Sequence, residues 1–352
     1  MRRFLFLIIA LSIVVNLIAQ MTVDLPKVVF VDYQPENREW FVRYGQFQIN
    51  FEYEENPSNG LVFVKNANKQ IERISKCLEI AKKNEIDVIV FPEVTMSLPE
   101  DIWVKTVKML EKYSKENDAI IIAGTFYDSK RTCKNLIVLP TGIYYTYKIR
   151  PSIFEASPVR GEGMLLNDTL HVFRTKYGNF LTLVCVDLIS DDANYIARNL
   201  SNKGLIDMLI NINFNPKSQE FMREASSMVV RHPLFVSLTN VSLFKSGCTI
   251  DGNEYGNTSV FGSITSFDNN SFKSKLLTNI PDCYKTQDKK QLQPAYKSLL
   301  GIISPEIEGV LIYDLNLRVI RTPQVNNAPD QGYPTIKNIE VIEISNKKTE
   351  NE

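Results

Sequence analysis

Apolar strands that alternate with amphipathic helices constrain the fold of this 352-residue chain more than any other feature. The segments DVIVF (87–91) and AIIIAGTFY (119–127) show no regular polar alternation, which is typical of strands buried on both faces. The segment 66–84 places apolar residues at helical spacing, with charge on the opposite face. This alternation predicts an α/β fold, and the paired strands between 119 and 148 predict antiparallel sections within it.

The composition is that of a globular protein, with 44% hydrophobic and 23% charged residues. Forty basic residues balance forty acidic ones, so no net field would recruit nucleic acid or an anionic membrane. The five cysteines show no CxxC or zinc-type spacing, and the two histidines, His171 and His232, lie far apart in the sequence. We therefore expect no nucleic-acid partner, no metal site and no dense disulfide framework.

The N-terminal segment, MRRFLFLIIALSIVVNLIAQ, has the layout of a secretory signal peptide. Arg2 and Arg3 precede an apolar run, and the small Ala19 precedes Gln20. An uncleaved membrane anchor is a second interpretation and would attach the protein to a membrane through residues 1–20. Translation from Met21 is a third, and would leave the protein cytoplasmic. We expect export or anchoring, with residues 1–20 outside the fold in every case.

The remainder is expected to form one domain over residues 27–316, without internal repeats. Two segments interrupt the alternation and are interpreted as insertions: residues 33–60 are aromatic and acidic, and residues 267–300 are polar and rich in lysine. Residues 317–352 are expected to form a C-terminal tail. The aromatic density of the first insertion predicts a wall of a substrate pocket or, equally, a contact with a second subunit or a membrane surface.

Three strands end on a chemically reactive side chain. DVIVF runs through Pro92 into Glu93, IYYTY runs into Lys148, and LTLV runs into Cys185. Each has an ordinary interpretation by itself: a surface carboxylate, a solvated strand end and a small buried hydrophobe. Together they indicate a site, because ligands of α/β sheets bind outside the carboxyl ends of strands, where residues distant in sequence converge.

These three side chains supply the groups that a thiol-dependent reaction needs. A thiol becomes a strong nucleophile when a proton acceptor or a cation lies beside it. Since neither histidine is close in sequence, Glu93 would be the base for Cys185, with its pKa tuned by its surroundings. Lys148 would bind the thiolate and then the oxyanion of a tetrahedral intermediate, and the amide of Val186 would be a second oxyanion donor.

These strand ends, in this order and at these separations, resemble the nitrilase or carbon–nitrogen hydrolase superfamily. FPE (91–93), YK (147–148) and CVD (185–187) carry the resemblance. Further similar segments include GNFLTLVCVD, IDMLINI, GNTSVFG and GVLIYDL, so the resemblance extends from about Lys27 to Leu315.

The resemblance implies a four-layer αββα sandwich that packs against a second copy, and hence a homodimer or higher homo-oligomer. It implies that residues 27–316 are a carbon–nitrogen hydrolase domain with a Glu–Lys–Cys triad, here Glu93, Lys148 and Cys185. Many relatives carry a further glutamate a few residues after the lysine. Glu155 matches that position, and we expect it to orient the lysine or bind substrate.

The chain departs from the superfamily pattern next to the triad. Val186 stands where members often have an aromatic residue, and Arg150 stands where a histidine often follows the lysine. Asp187 has two equally weighted interpretations, a member of the site or an ordinary loop carboxylate or helix cap. These changes leave the triad intact but do not allow a substrate to be taken from any subgroup.

We interpret the chain as a thiol amidohydrolase that cleaves a non-peptide carbon–nitrogen bond of a small amide, or of a nitrile, through a thioester and without a cofactor. Two alternatives stay open. An N-acyltransferase would pass the acyl group to an amine instead of water, which a membrane-directed N-terminus would suit, although such relatives carry several spanning helices. A nitrilase-like binding module without turnover is favoured by the altered residues around Cys185 and opposed by the intact triad.

Overall fold

The computed structural model describes residues 25–56, 61–152, 155, 164–242, 255–262, 280–288, 290–317 and 336–344. The α-helices within these ranges are α1 (Ala67–Lys83), α2 (Glu100–Asn117), α3 (Asp191–Asn202) and α4 (Ser218–Arg231). The strands are β1 (Lys27–Tyr33), β2 (Phe41–Gln48), β3 (Tyr53–Glu55), β4 (Val62–Val64), β5 (Val88–Val90), β6 (Ile120–Tyr127), β7 (Cys133–Leu139), β8 (Gly142–Tyr147), β9 (Thr169–Thr175), β10 (Gly178–Val184), β11 (Met208–Ile212), β12 (Phe235–Thr239), β13 (Ser259–Phe261), β14 (Leu299–Ile302), β15 (Gly309–Asn316) and β16 (Ile336–Glu343).

Two seven-stranded sheets form the centre of the molecule. The first sheet has the order β1-β9-β10-β11-β12-β13-β14, and the second has the order β16-β15-β2-β5-β6-β7-β8. The middle of each sheet is parallel: β10, β11 and β12 in the first, and β2, β5 and β6 in the second. Strands β6, β7 and β8 pair antiparallel, as the sequence predicts.

The layers follow from the two-residue period of the strands. In β5, Val88 and Val90 pack in the core between the two sheets, whereas Ile89 packs with Ile74 of α1 and Leu110 of α2. Helices α3 and α4 add their apolar faces to the core of the first sheet. The result is the four-layer αββα sandwich, so the expected fold class is confirmed.

Helix α1 illustrates how local sequence sets these elements. The side chain of Asn66 accepts a hydrogen bond from the Lys69 amide at 3.2 Å, which caps the first turn. Lys82 and Lys83 lie in the last turn, where positive charge interacts favourably with the helix dipole. The buried face includes Ile74 and lies against the second sheet.

Polar contacts tie the two sheets together at their buried faces. The Gln46 side chain, on β2, donates to the Leu238 carbonyl at 3.0 Å and to the Ser259 carbonyl at 3.3 Å. The hydroxyls of Thr146 and Thr182, on β8 and β10, lie 3.1 Å apart. The threonine contact positions β8 relative to β10, and these are the strands that lead to Lys148 and Cys185.

The interpretation of residues 33–60 as an insertion is wrong for residues 41–48. Strand β2 lies in the second sheet, pairing antiparallel with β15 over its whole length and parallel with β5. The polar residues of β2 make it resemble a loop in the sequence, because the partner that satisfies each of them is distant in the chain. Arg43, for example, forms a salt bridge with Asp314 at 2.7 Å.

The boundaries at the other end of the chain also need correction. Strand β16 lies within the expected C-terminal tail, yet it pairs antiparallel with β15 and buries Ile336 and Ile339. Strand β14 lies partly within the second expected insertion and forms one edge of the first sheet. Residues 263–279 of that insertion lie outside the described residues.

The predicted signal peptide or anchor, residues 1–20, lies outside the described residues. Among the helices that are described, none is both long enough and apolar enough to cross a membrane. The first described element, β1, begins at Lys27 and pairs in parallel with β9.

Candidate active site

The three predicted strand ends meet at one buried site. Lys148 follows β8, and Glu93 follows β5 by three residues, so both come from the second sheet. Cys185 directly follows β10 of the first sheet. The three side chains are 2–5% exposed, and the thiol lies close enough to both charged groups for them to shift its pKa.

Lys148 is the centre of a buried ion cluster. Its Nζ lies 2.8 Å from Glu93 Oε1 and 2.8 Å from Glu155 Oε2. Glu155 is held in turn by the Tyr127 hydroxyl at 2.6 Å and by the Ser152 amide at 2.7 Å. The predicted association of Glu155 with the lysine is therefore present in the geometry.

A backbone amide, in addition to the Lys148 ammonium, orients Glu93. The Phe214 amide, two residues after β11, donates to Glu93 Oε2 at 2.9 Å. Burial raises the pKa of Glu93, and the Lys148 ammonium only partly offsets this effect. Burial acts to lower the pKa of Lys148, but Glu155 and Glu93 outweigh it and hold that pKa well above its ordinary value. The lysine therefore stays charged, and Glu93 is a stronger base than a solvated glutamate.

The loop that carries Glu93 depends on a close backbone approach. Gly124 of β6 has a φ of +93°, and a Cβ there would lie 2.3 Å from the Pro92 carbonyl oxygen. The loop is further held by the Val94 amide, which donates to the Thr125 hydroxyl at 2.9 Å. Any side chain at position 124 would displace the base.

Cys185 occupies a strained position at the start of a short 3₁₀ helix, Cys185–Ile189. Its φ is +51°, a region that non-glycine residues rarely adopt and that is concentrated at functional sites. The Asn211 side chain donates to the Cys185 carbonyl at 3.1 Å and holds this conformation. Burial, and then the Glu93 carboxylate, raise the pKa of the thiol, so the resting group is protonated.

Asn215 is a site residue that the sequence interpretation missed. Its Nδ2 lies 3.8 Å from Cys185 Sγ, while its Oδ1 accepts a hydrogen bond from the Lys217 amide at 2.6 Å. Because a backbone N–H must face an oxygen, this second bond fixes the amide orientation and directs the N–H group at the sulfur. Asn240 holds the backbone of Asn215 through bonds of 3.1 and 2.8 Å. A signal for Asn215 was present in the sequence: the asparagines alternate in ININFN (210–215), which begins within β11 and continues past its end.

Asp187 links the two strand ends and also caps the 3₁₀ helix, as one of its two interpretations predicts. Its carboxylate is fully buried and accepts hydrogen bonds from the amides of Ile149 and Arg150, at 3.1 and 2.8 Å. It also accepts from the Val184 amide at 3.3 Å and so caps the 3₁₀ helix. Burial raises the pKa of Asp187 to about 7, against the effect of these amides.

The remaining predicted donor, Val186, is half-buried in the first turn of the 3₁₀ helix. Amides of a first helical turn have no acceptor within the helix, which leaves them free to bind a ligand. Arg150, in the place of the usual histidine, forms a salt bridge with Asp192 at the surface. The two histidines lie elsewhere. His171 lies on β9 and packs against Tyr147, and His232 follows α4.

One cluster of metal-ligating groups overlaps the site. Glu93, Cys133 and Glu155 have ligand atoms within 4.8 Å of one another. The Lys148 ammonium already contacts both carboxylates, and burial holds the pKa of Cys133 well above its ordinary value. A protonated thiol and two carboxylates paired with a lysine do not fit a metal ion.

The fold can be compared with known proteins. A carbon–nitrogen hydrolase superfamily protein from Xanthomonas campestris is 13% identical, with a TM-score of 0.53 over 80% of this chain and 92% of that chain. Nit3 of Saccharomyces cerevisiae, a member of branch 10 of the nitrilase superfamily, is 15% identical, with a TM-score of 0.54 over 83% and 97%. An amidase from Nesterenkonia sp. is 10% identical, with a TM-score of 0.51 over 80% and 93%. The chain thus has the nitrilase-superfamily fold, as the strand-end motifs predict.

Sequence comparisons alone do not reach this result. No protein-family model matches the chain, and no curated protein matches it.

Proposed function

We propose that this chain is a carbon–nitrogen hydrolase that cleaves a small non-peptide amide through Glu93, Lys148 and Cys185. The observation that carries the proposal is the buried Lys148 ammonium, 2.8 Å from both Glu93 and Glu155 and beside the Cys185 thiol. Burying three charges and a strained thiol together costs stability and brings no packing advantage. The group supplies a base, a cation and a nucleophile, which acyl transfer from an amide requires.

The first half-reaction forms a thioester. Glu93 accepts the proton of the Cys185 thiol as the sulfur attacks the amide carbon, and the carbonyl oxygen becomes an oxyanion. Lys148 and the Val186 amide bind this oxyanion. The carbon–nitrogen bond then breaks, Glu93 gives the proton to the departing amine, and the acyl group remains on sulfur.

The second half-reaction releases the acid. Glu93 accepts a proton from water, whose oxygen attacks the thioester carbon while Lys148 again binds the oxyanion. The carbon–sulfur bond breaks, the thiolate regains the proton from Glu93, and the carboxylic acid leaves. The raised pKa of Glu93 suits both transfers, since the same group must accept and return a proton.

Structural relatives support this chemistry without defining the substrate. One variant of the Nesterenkonia amidase carries acrylamide in one structure, and the acetamide moiety of fluoroacetamide in another, on its active-site cysteine. The Xanthomonas protein carries an arsenic adduct in its active site. We assign the corresponding nucleophilic role here to Cys185.

Export or membrane anchoring through residues 1–20 remains part of the proposal. Cys283 is disulfide-bonded, whereas Cys77, Cys133 and Cys185 are free thiols. Structural disulfides persist in oxidising compartments, which supports passage out of the cytosol. Fractionation of expressing cells tests this; a protein found in the cytosol with a reduced Cys283 would contradict it.

The function is tested by mass spectrometry of the intact protein after exposure to a panel of small amides and nitriles. The wild type is expected to release acid and to gain the mass of an acyl group on Cys185. Cys185→Ala should do neither, while Cys77→Ala, which removes a thiol from the buried face of α1, should retain both. Turnover by Cys185→Ala, or a wild type that binds amides without acylation or acid release, would overturn the proposal.

A further inference from the structure

Four aromatic side chains form a continuous surface at the site, here called the aromatic wall: Phe51, Tyr53, Phe214 and Tyr255. The Phe214 ring stacks on Phe51, with centroids 6.0 Å apart. It meets Tyr53 edge to face at 5.0 Å and packs against Tyr255 at 5.3 Å. The wall carries no charged side chain.

The wall is attached directly to the reacting groups. The amide of Phe214 holds Glu93 at 2.9 Å, and the next residue, Asn215, contacts the Cys185 sulfur. The Tyr255 side chain forms a hydrogen bond with that of Tyr53. It also lies near enough to Cys185 for the Tyr255 hydroxyl and the thiol to interact electrostatically. A substrate with its carbonyl at Cys185 therefore lies beside these rings.

The wall is not simply part of the protein core. Tyr44 and Phe47, from the same aromatic-rich stretch, are at most 1% exposed and fill the sheets. Phe51 is also buried, but Tyr53 is 43% exposed, and Phe214 and Tyr255 are half-buried. The rings thus run from the solvent to the base, and apolar ring surface at a site entrance is the usual means of binding an apolar ligand group.

We propose that the aromatic wall binds a flat apolar substituent, an aryl or arylalkyl group, next to the scissile bond of the substrate. This inference rests on the proposed function and specifies its substrate class. The stacked arrangement offers ring faces and edges to another ring. The aryl group could lie on the acyl side or on the amine side of the amide.

Two measurements on the full-length protein test the inference. The first is kcat/KM for acetamide, phenylacetamide and N-benzylacetamide, which separates the acyl side from the amine side. The second is the rate at which Cys185 is alkylated by iodoacetamide and by N-benzyl-iodoacetamide, which needs no turnover. The test variant is Tyr53→Ala, and the control is Tyr195→Ala, a comparably exposed tyrosine on α3.

At least one aryl amide is expected to exceed acetamide by about tenfold or more. If that amide is N-benzylacetamide, the benzyl electrophile should exceed iodoacetamide by a similar factor; if it is phenylacetamide, the two electrophiles should react at similar rates. An aromatic contact is worth roughly two- to tenfold in affinity, so Tyr53→Ala should reduce the preference for the aryl reagent by about that factor. Tyr195→Ala should leave it unchanged. Equal kcat/KM values for acetamide and both aryl amides, or an aryl preference that Tyr53→Ala does not reduce, would overturn the inference. If acetamide is hydrolysed through Cys185 without an aryl preference, the inference fails while the proposed function stands.

Discussion

The carboxylate of Asp187 accepts a hydrogen bond from the Arg150 amide at 2.8 Å, so the residue two places after the thiol fixes the chain two places after Lys148. The contact joins the ends of β8 and β10, which belong to different sheets. The relative position of Lys148 and Cys185 therefore depends on this buried carboxylate as well as on the contact between Thr146 and Thr182.

Asp187→Asn is expected to change how stability depends on pH. A solvated aspartate has a pKa near 3.9, while burial raises that of Asp187 to about 7. Between about pH 4 and pH 7 the folded protein binds the extra proton, so this group's contribution to stability is lost as the pH rises. The variant has no such loss. Urea unfolding at pH 4.5 and pH 7.5 measures this. From the lower to the higher pH, the free energy of unfolding of the variant should rise relative to that of the wild type by on the order of a few kcal/mol. A difference that is constant, or that changes in the opposite direction, would contradict the raised pKa.

Lys148→Met is expected to destabilise the protein. Lys148 is one of the largest fully buried side chains, and its removal leaves Glu93 and Glu155 as uncompensated buried carboxylates. Breaking a buried ion pair on one side typically costs about 3–5 kcal/mol. Thermal or urea unfolding measures this, with Lys112→Met, at a 74% exposed lysine, as the control. Adding Glu155→Gln to Lys148→Met should restore part of the loss; no rescue would mean that the carboxylates are not the cause.

Glu93→Gln is expected to abolish most turnover while leaving the fold intact. The amide oxygen can still accept from Lys148 or from the Phe214 amide, but it cannot accept a proton. General acid–base catalysis contributes about 10²–10⁴-fold, and Glu93 acts in both half-reactions. In the wild type, kcat/KM should fall as the pH drops through the raised pKa of Glu93, above the range of an ordinary glutamate. Near wild-type rates in the variant, or an acid limb below pH 4, would exclude Glu93 as the base.

The sequence predicted the convergence of Glu93, Lys148 and Cys185 because each strand end carries a local signal. An apolar run followed by Glu93, Lys148 or Cys185 is visible without knowledge of the partners. The same reasoning failed for β2, since Gln46 and Arg43 look like loop residues until Asp314 and the carbonyls of β12 and β13 are known to satisfy them.

The supporting contacts could not be found in this way. Phe214 lies 121 positions from Glu93, and only the order of strands within and between the sheets brings its amide to the carboxylate. Asn215 reaches Cys185 because β11 is the parallel neighbour of β10. Strand order depends on long-range packing, which a local pattern does not contain.

Glu155→Gln and Tyr127→Phe are expected to produce graded losses of rate. Glu155 positions the Lys148 ammonium at 2.8 Å, and the Tyr127 hydroxyl positions Glu155 at 2.6 Å. Losing an oxyanion donor outright costs about a hundred- to a thousand-fold, and these variants only misplace it, so the loss should be smaller. Intact-mass spectrometry should still detect the thioester in both. A variant that cannot be acylated at all would place Glu155 in the chemistry itself.

Asn215→Ala is expected to make the Cys185 thiolate harder to form. The Asn215 N–H group is directed at the sulfur from 3.8 Å, and a donor at that position stabilises the thiolate more than the thiol. The rate of alkylation by iodoacetamide, measured against pH and followed by mass spectrometry of Cys185, should therefore shift to higher pH. Asn179→Ala is the matched control: this asparagine is equally buried, lies at the opposite end of β10, and donates to the Leu205 carbonyl. Both variants should lose similar stability, because each removes one buried amide. Only Asn215→Ala should shift the dependence of the alkylation rate on pH. An unchanged pH dependence, or an equal shift in both variants, would show that the contact between Asn215 and the sulfur is structural.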